Sequence, residues 1–271
     1  MGAGDVAAIL IAYGRELESQ GAAQVGSAFT TDESANALIE SSPDAFLLGV
    51  LFTQGIPAER AWSAPAELRT RLGTLDMGFL AEHPAEVRAA VQRAPMLHRF
   101  KETLPRWIVA AAQRVQCEYG GDTTRIWAPG SHVREVTDRL SSFPGIGRKK
   151  AVMATEILMR HFGVDLGGRE HGQVAFDVQV RRVFLRSGLA QEDSIAAIEA
   201  AAARWCPDSP GTMDLPAWLI GRQWCRPKAP KCEECRLGTV CPRRVQLNPT
   251  GVGSTSAHSA ERSTSPESSF G

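Results

Sequence analysis

The sequence has no surplus of charge: 30 lysines and arginines stand against 30 aspartates and glutamates in 271 residues. That excludes a surface coated in positive charge, so any nucleic-acid site must be a local basic patch. There is no apolar run of the ~18 residues that a membrane span needs. The first residues, MGAGDVAAILIAYGRELESQG, have no basic stretch ahead of the apolar run and pass into Arg15, Glu16 and Glu18. They read as an amphipathic first helix and not as a signal peptide, which implies an intracellular chain with reduced thiols. Strand-like alternation is nearly absent, and no internal repeat is visible. Six cysteines in a reducing setting suggest a metal centre or buried thiols before disulfides.

What is present is helical punctuation. TTDESANALIES has capping residues ahead of Ala35, Leu38 and Ile39. PDAFLLGVLFTQGI, opening on Pro43, is apolar nearly all round, as a central buried helix would be. SAPAELRTRLG and HPAEVRAAVQRA each read as helices with proline at the start. A long helix is expected across HRFKETLPRWIVAAAQRVQCEYGG, begun or bent at Pro105 and closed by Gly120 and Gly121. SHVREVTDRLSSF follows, with Ser131 as its cap, and KKAVMATEILMRHFG is the next helix. Helices joined by short turns, with almost no strand, predict an all-α fold. Three segments break the pattern: a Gly-rich loop at 163–177, a Cys-rich stretch after Trp224, and a Ser- and Gly-rich end at 246–271 expected to be disordered.

Three motifs carry chemistry. Cys225, Cys232, Cys235 and Cys241 follow C-x6-C-x2-C-x5-C. Four thiolates this close suit Zn²⁺ or a four-iron cluster; a single CxxC pair favours iron–sulfur over zinc, and the bland alternative is disulfides or loose thiols. Cys117 and Cys206 read as core or incidental thiols. The second motif is FPGIGRKKA, Phe143 to Ala151, between two predicted helices. It is neither a P-loop nor G-x-G-x-x-G. Its glycines permit a tight hairpin whose N–H groups can hold one phosphate, with Arg148 or Lys150 adding charge; an ordinary turn with surface cations is the alternative. Lys149 falls in the first turn of the following helix. A lysine so placed, beside cations and partly desolvated, can serve as a nucleophilic amine, although most lysines are merely solvated. The third motif, AFDVQVRRVFLRSGL, offers Asp177 either as a helix cap or as a carboxylate facing a reacting group. Arg181 and Arg182 flank it as candidate phosphate contacts.

LSSFPGIGRKKA, FDVQVRRVFLRSGL and WLIGRQWCRPKAPKCEECRLGTVC, in that order, resemble the helix-hairpin-helix DNA glycosylases of the endonuclease III type. PDAFLLGVLFTQG is similar to the family's helix that ends in a glutamine entering the DNA stack, here Gln54. The resemblance covers roughly residues 35–245.

It implies two helical domains with a DNA-binding cleft between them. A six-helix barrel would span 40–160, with the helix-hairpin-helix at 138–155. The second domain would join 1–39 to 161–245 and carry a [4Fe-4S] loop at 225–241. Lys149 and Asp177 would be catalytic. Gln54, Gly145, Gly147, Arg148, Lys150 and Arg181 would bind DNA, and Cys225, Cys232, Cys235 and Cys241 would hold the cluster. The implied partner is double-stranded DNA with a damaged or mismatched base, and the implied protein is a monomer in the cytoplasm, associated with the nucleoid. The implied activity is base removal in base-excision repair, with AP-lyase cleavage through a lysine Schiff base; oxidised pyrimidine is the default lesion. The alternatives are a monofunctional glycosylase for another lesion (uracil, mismatched adenine or an alkylated base) and a non-catalytic DNA-binding iron–sulfur protein. The chain departs from the pattern at Val178-Gln179, at Gly55-Ile56-Pro57 after Gln54, and in a longer interval between Lys149 and Asp177.

Overall fold

The computed structural model describes residues 2–20 and 29–245. The Ser- and Gly-rich end at 246–271, with its expected disorder, lies outside them. The fold is all-α, as expected. Among the described residues there are twelve helices: α1 (Ala3–Gln20), α2 (Glu33–Ser41), α3 (Pro43–Phe52), α4 (Ala58–Leu72), α5 (Met77–Glu82), α6 (Pro84–Gln92), α7 (Thr103–Tyr119), α8 (Val133–Ser141), α9 (Arg148–Arg160), α10 (Val178–Ser187), α11 (Ile195–Trp205) and α12 (Asp214–Gln223). Among the described residues strand character is limited to one isolated bridge between His132 and Gly167. No described helix is long and apolar enough to cross a membrane.

The buried apolar side chains form two clusters. The first is built on α3, where every residue from Ala45 to Phe52 is buried. Ser42 caps this helix by accepting the Ala45 N–H at 3.2 Å, and Pro43 occupies its first turn. A Cβ at Gly49 would lie 2.5 Å from the Trp62 ring, so the missing side chain lets α4 approach closely. Helices α2 to α9 supply this cluster. The second gathers Val6, Leu10 and Leu17 of α1 with Val183 and Phe184 of α10, Ile198 of α11, and Ala217 and Ile220 of α12.

Several local expectations change. The boundary expected at residue 40 falls inside α2, whose Leu38 and Ile39 pack on the first cluster; Leu166, beyond the boundary expected at 160, belongs there too. Pro65 is not at a helix start but inside α4, which begins at Ala58 after Pro57. Ser131 does not cap α8. His132 does, its Nδ1 accepting the Arg134 N–H at 3.2 Å, while Ser131 Oγ receives Arg139 at 3.3 Å.

Candidate active site

The turn between α8 and α9 is fixed from below. Phe143 and Ile146 are buried in the first cluster, and the Ile146 N–H donates to Phe143 O at 3.0 Å. Gly145 has φ +84°, and a Cβ there would lie 2.6 Å from the Trp107 ring. Both facts demand glycine. Gly147 differs: it caps α9 at φ −83°, and a Cβ there would meet nothing within 4 Å.

The three cations after the turn have separate fates. Arg148 is exposed and pairs with Glu199 at 3.0 Å. Lys150 turns inward and is buried. Its Nζ donates to the carbonyls of Leu51 and Gly145, both at 2.9 Å, and burial, helped by the neighbouring Lys149 charge, pulls its pKa down to about 8. It ties the turn to the end of α3. Lys149 keeps an exposed side chain and reaches across to Asp177, Nζ to Oδ2, at 3.3 Å.

Asp177 is held by its own helix. Oδ1 accepts the Gln179 N–H at 2.8 Å as the cap of α10, which leaves Oδ2 for Lys149. Its backbone N–H donates to Ala175 O at 2.7 Å, and the Ala175 N–H donates to Asp214 Oδ1, also at 2.7 Å. Cap and lysine partner therefore belong to one carboxylate.

Lys149 and Asp177 line a cavity of about 890 Å³ between the two apolar clusters. Trp62, Met153 and Ile157 come from the first side, Val180 and Leu219 from the second. Thr53, Gly55 and Ile56 also line it, and the exposed Gln54 lies within that run. Arg222 of α12 pairs with Glu59 of α4 across the opening and lies 5.0 Å over the Trp218 ring.

Arg181 and Arg182 are not outward-facing phosphate contacts. Arg181 is buried, pairs with both oxygens of Asp193 at 2.7 and 2.5 Å, and covers the Phe176 ring. Arg182 is also buried; it donates to Cys225 O at 2.5 Å, to Gly221 O at 2.9 Å and to Gln179 Oε1. One helical turn on, Arg186 donates to Arg226 O at 2.7 Å and Pro227 O at 3.0 Å. These spacings reach from α10 to the start of the cysteine loop.

Cys225, Cys232, Cys235 and Cys241 line one small cavity beside Arg186 and Leu237. None is in a disulfide; Cys117 is exposed and Cys206 buried elsewhere. Burial pushes the Cys235 thiol up to about 11 and raises Cys241 as well. Arg186 Nη1 approaches Cys225 Sγ at 3.7 Å, and the Arg243 N–H donates to Cys241 Sγ at 3.4 Å. Gly238 packs on the backbone of Cys232 and Cys235, with no room for a side chain. Four thiols lining one cavity, with N–H donors aimed at two of the sulfurs, offer the ligand chemistry of a sulfur-ligated centre.

A polar group at the cavity wall, where Arg160 and Asp214 line it and Glu156 is buried beside them, has no counterpart among the sequence motifs. Glu156 and Arg160 of α9 meet Asp214 of α12 there. Burial and the neighbouring Asp214 charge push Glu156 up to about 8, and burial raises Asp214 to about 6. An acid inside an apolar helix and one at a helix start carry no signal of a shared burial site.

No family model matches the chain. Endonuclease III of Bacillus subtilis (strain 168) is 30% identical over 125 residues, which are 45% of this chain and 52% of that protein. The chain spans about half the length of the curated relatives it matches. Among solved structures, a thermostable thymine-DNA glycosylase superposes with a TM-score of 0.60 at 13% identity, over 89% of this chain and 96% of that one. A trapped endonuclease III–DNA covalent intermediate gives 0.51 at 20% identity, over 77% and 92%.

Proposed function

We propose that this chain, which has the fold of the helix-hairpin-helix DNA glycosylase superfamily, excises a damaged base from duplex DNA and cuts the strand through a lysine Schiff base. The observation that carries the reading is the 3.3 Å approach of Lys149 Nζ to Asp177 Oδ2 on the wall of a cavity large enough for an extruded nucleotide. The two apolar clusters are then the two domains, and DNA enters between them.

Each residue acts in turn. The hairpin grips a phosphate through the N–H groups opening α9. Gly147, where a side chain would meet no protein atom, leaves that approach open. Gln54 fills the gap left in the stack. The C1′–N bond breaks, its electron pair leaves with the base, and the Asp177 carboxylate stabilises the cationic sugar. The Lys149 amine, its proton passed to the departing base, bonds to C1′ with its lone pair; the C1′–O4′ bond then breaks, O4′ takes up the proton the nitrogen sheds, and the sugar opens to an iminium. The resulting iminium acidifies C2′, and loss of that proton expels the 3′ phosphate. Lys150 and Arg181 take no part in DNA contact in this scheme; they hold the hairpin and α10 in place. Cys225, Cys232, Cys235 and Cys241 would hold a [4Fe-4S] cluster, whose role there is to fold the loop that carries Arg226, Lys228 and Lys231.

Borohydride reduction in the presence of abasic-site duplex tests the lyase step. Wild type should give a stable protein–DNA adduct, and Lys149→Ala none. Base release from single-lesion duplexes without any adduct would leave a monofunctional glycosylase. No release across oxidised pyrimidines, uracil, mismatched adenine and alkylated bases would overturn the enzymatic reading.

A further inference from the structure

The long loop between α9 and Asp177 is clasped to the segment before α8. Gly130 N–H donates to Asp165 O at 2.8 Å, Val133 N–H to Gly167 O at 2.9 Å, and Gly167 N–H to Ser131 O at 3.0 Å. Gly168 then turns at φ +73°, and a Cβ there would run into the His132 ring, so the imidazole lies on a bare Cα. A short 3-10 turn, Arg169–His171, brings two more donors beside it. The rings of His132 and His171 are 5.2 Å apart at 36°, and His171 Nε2 is 3.7 Å from Glu170 Oε1. One ligand atom from each of the three residues lies within 4.8 Å of the others.

We propose that His132, Glu170 and His171 bind one divalent transition-metal ion, Zn²⁺ foremost, with the fourth position open to water. Two imidazoles and one carboxylate are an N/O set that suits Zn²⁺ and poorly suits Ca²⁺ or Mg²⁺. Tetrahedral bonds of 2.0–2.2 Å require ligand atoms about 3.4 Å apart. The needed contraction is at most from 4.8 Å to that spacing, and rotations of the exposed Glu170 and the partly exposed His171 side chains supply it. There is a cost. Coordination through His132 Nε2 puts the ring proton on Nδ1 and releases the Arg134 N–H that Nδ1 now accepts. Losing a cap weakens binding by roughly 5-fold, a small factor beside the affinity of a micromolar site. The ion clips the loop, which ends at Asp177, to the start of α8. This site stands independently of the reaction assigned above.

The test is calorimetric titration of the whole protein with Zn²⁺, comparing wild type with His132→Asn and His171→Ala. Asparagine is a good cap, so His132→Asn removes a ligand and spares α8. The four cysteines are unchanged in all three proteins, so any difference reports this site. Wild type should take up one more equivalent than either variant, or bind it at least ~10-fold tighter, and Zn²⁺ should slow amide exchange over 163–171 in wild type alone. Equal uptake and equal exchange in all three would overturn the proposal; His171, half-exposed on the turn, keeps the comparison valid if the cap variant unfolds.

Discussion

Asp177 divides its two oxygens between a helix cap and a lysine. Oδ1 caps α10 through the Gln179 N–H, and Oδ2 faces Lys149. Each contact orients the other, because a carboxylate fixed at one oxygen cannot swing the second away. This separates the roles experimentally. Asparagine keeps a side-chain oxygen to accept the Gln179 N–H, so Asp177→Asn should leave the melting temperature within a degree or two of wild type. It removes the negative charge, and base release should fall by on the order of 100-fold or more while duplex binding persists. Unchanged release would show that Asp177 is a cap and nothing else. Lys149 and Lys150 make the complementary point. They are adjacent and chemically identical, yet one pairs with Asp177 at a cavity wall while the other gives its hydrogen bonds to two carbonyls. The helical turn separates them, by pointing consecutive side chains about 100° apart.

At the scale of the element, most of the fold was legible because capping chemistry is local. Ser42 and Pro43 open α3, Asp32 opens α2, and Gly120 closes α7 in the left-handed conformation, all as the residue types suggest. The misreadings are places where tertiary contacts won. Pro65 sits inside α4, and His132 caps α8 in place of Ser131. Arg182 looked like a surface cation; it is buried because Cys225 O and Gly221 O lie within its reach, a fact set 39 and more positions away. The hairpin shows why two glycines in one motif need not mean one thing. Gly145 is required by the fold, since φ +84° and the Trp107 ring both exclude a side chain. Gly145→Ala should therefore lower stability by roughly 1–3 kcal/mol, read by thermal or denaturant unfolding. Gly147→Ala meets no protein atom and should cost only the weak cap preference, ~1 kcal/mol or less. Its effect should appear in duplex affinity, weakened several-fold on any sequence, because phosphate contacts position without reading bases. If both variants lose stability equally, Gly147 is structural as well.

The whole molecule joins two apolar cores, and the seam between them holds both the pair the sequence named and the buried acids it did not. Lys149 and Asp177 stand 28 positions apart (177 − 149), and α9, the clasped loop and the first turn of α10 together bring them to 3.3 Å. Behind that pair, Glu156 from the helix of Lys149 meets Asp214 from α12. Arg160 and Arg169 lower the Glu156 pKa, and Asp214 and Glu18 raise it. Asp214 in turn feels Arg160 and Lys149 on one side and Asp177 on the other. Burial dominates both: Glu156 goes from 4.5 up to about 8, and Asp214 from 3.8 up to about 6. The sign follows from proton binding. Between pH 4 and pH 8 the folded state holds protons that the unfolded chain has lost, so these groups contribute fully at low pH and lose their contribution as pH rises through 6 and then 8. A tenfold difference in proton affinity between folded and unfolded chains is worth about 1.4 kcal/mol, so the two acids together amount to several kcal/mol. For a chain of this size ~1 kcal/mol moves the melting temperature by about 2–4 °C. Glu156→Gln cannot ionise and should remove its share: relative to wild type, the variant should gain several degrees between pH 5 and pH 8.5. Melting curves of the two proteins across that range decide the matter through their difference, which cancels the titration of surface groups. A difference that stays flat with pH would mean that Glu156 remains ionised against Arg160, and that the seam holds a buried ion pair and not a protonated acid.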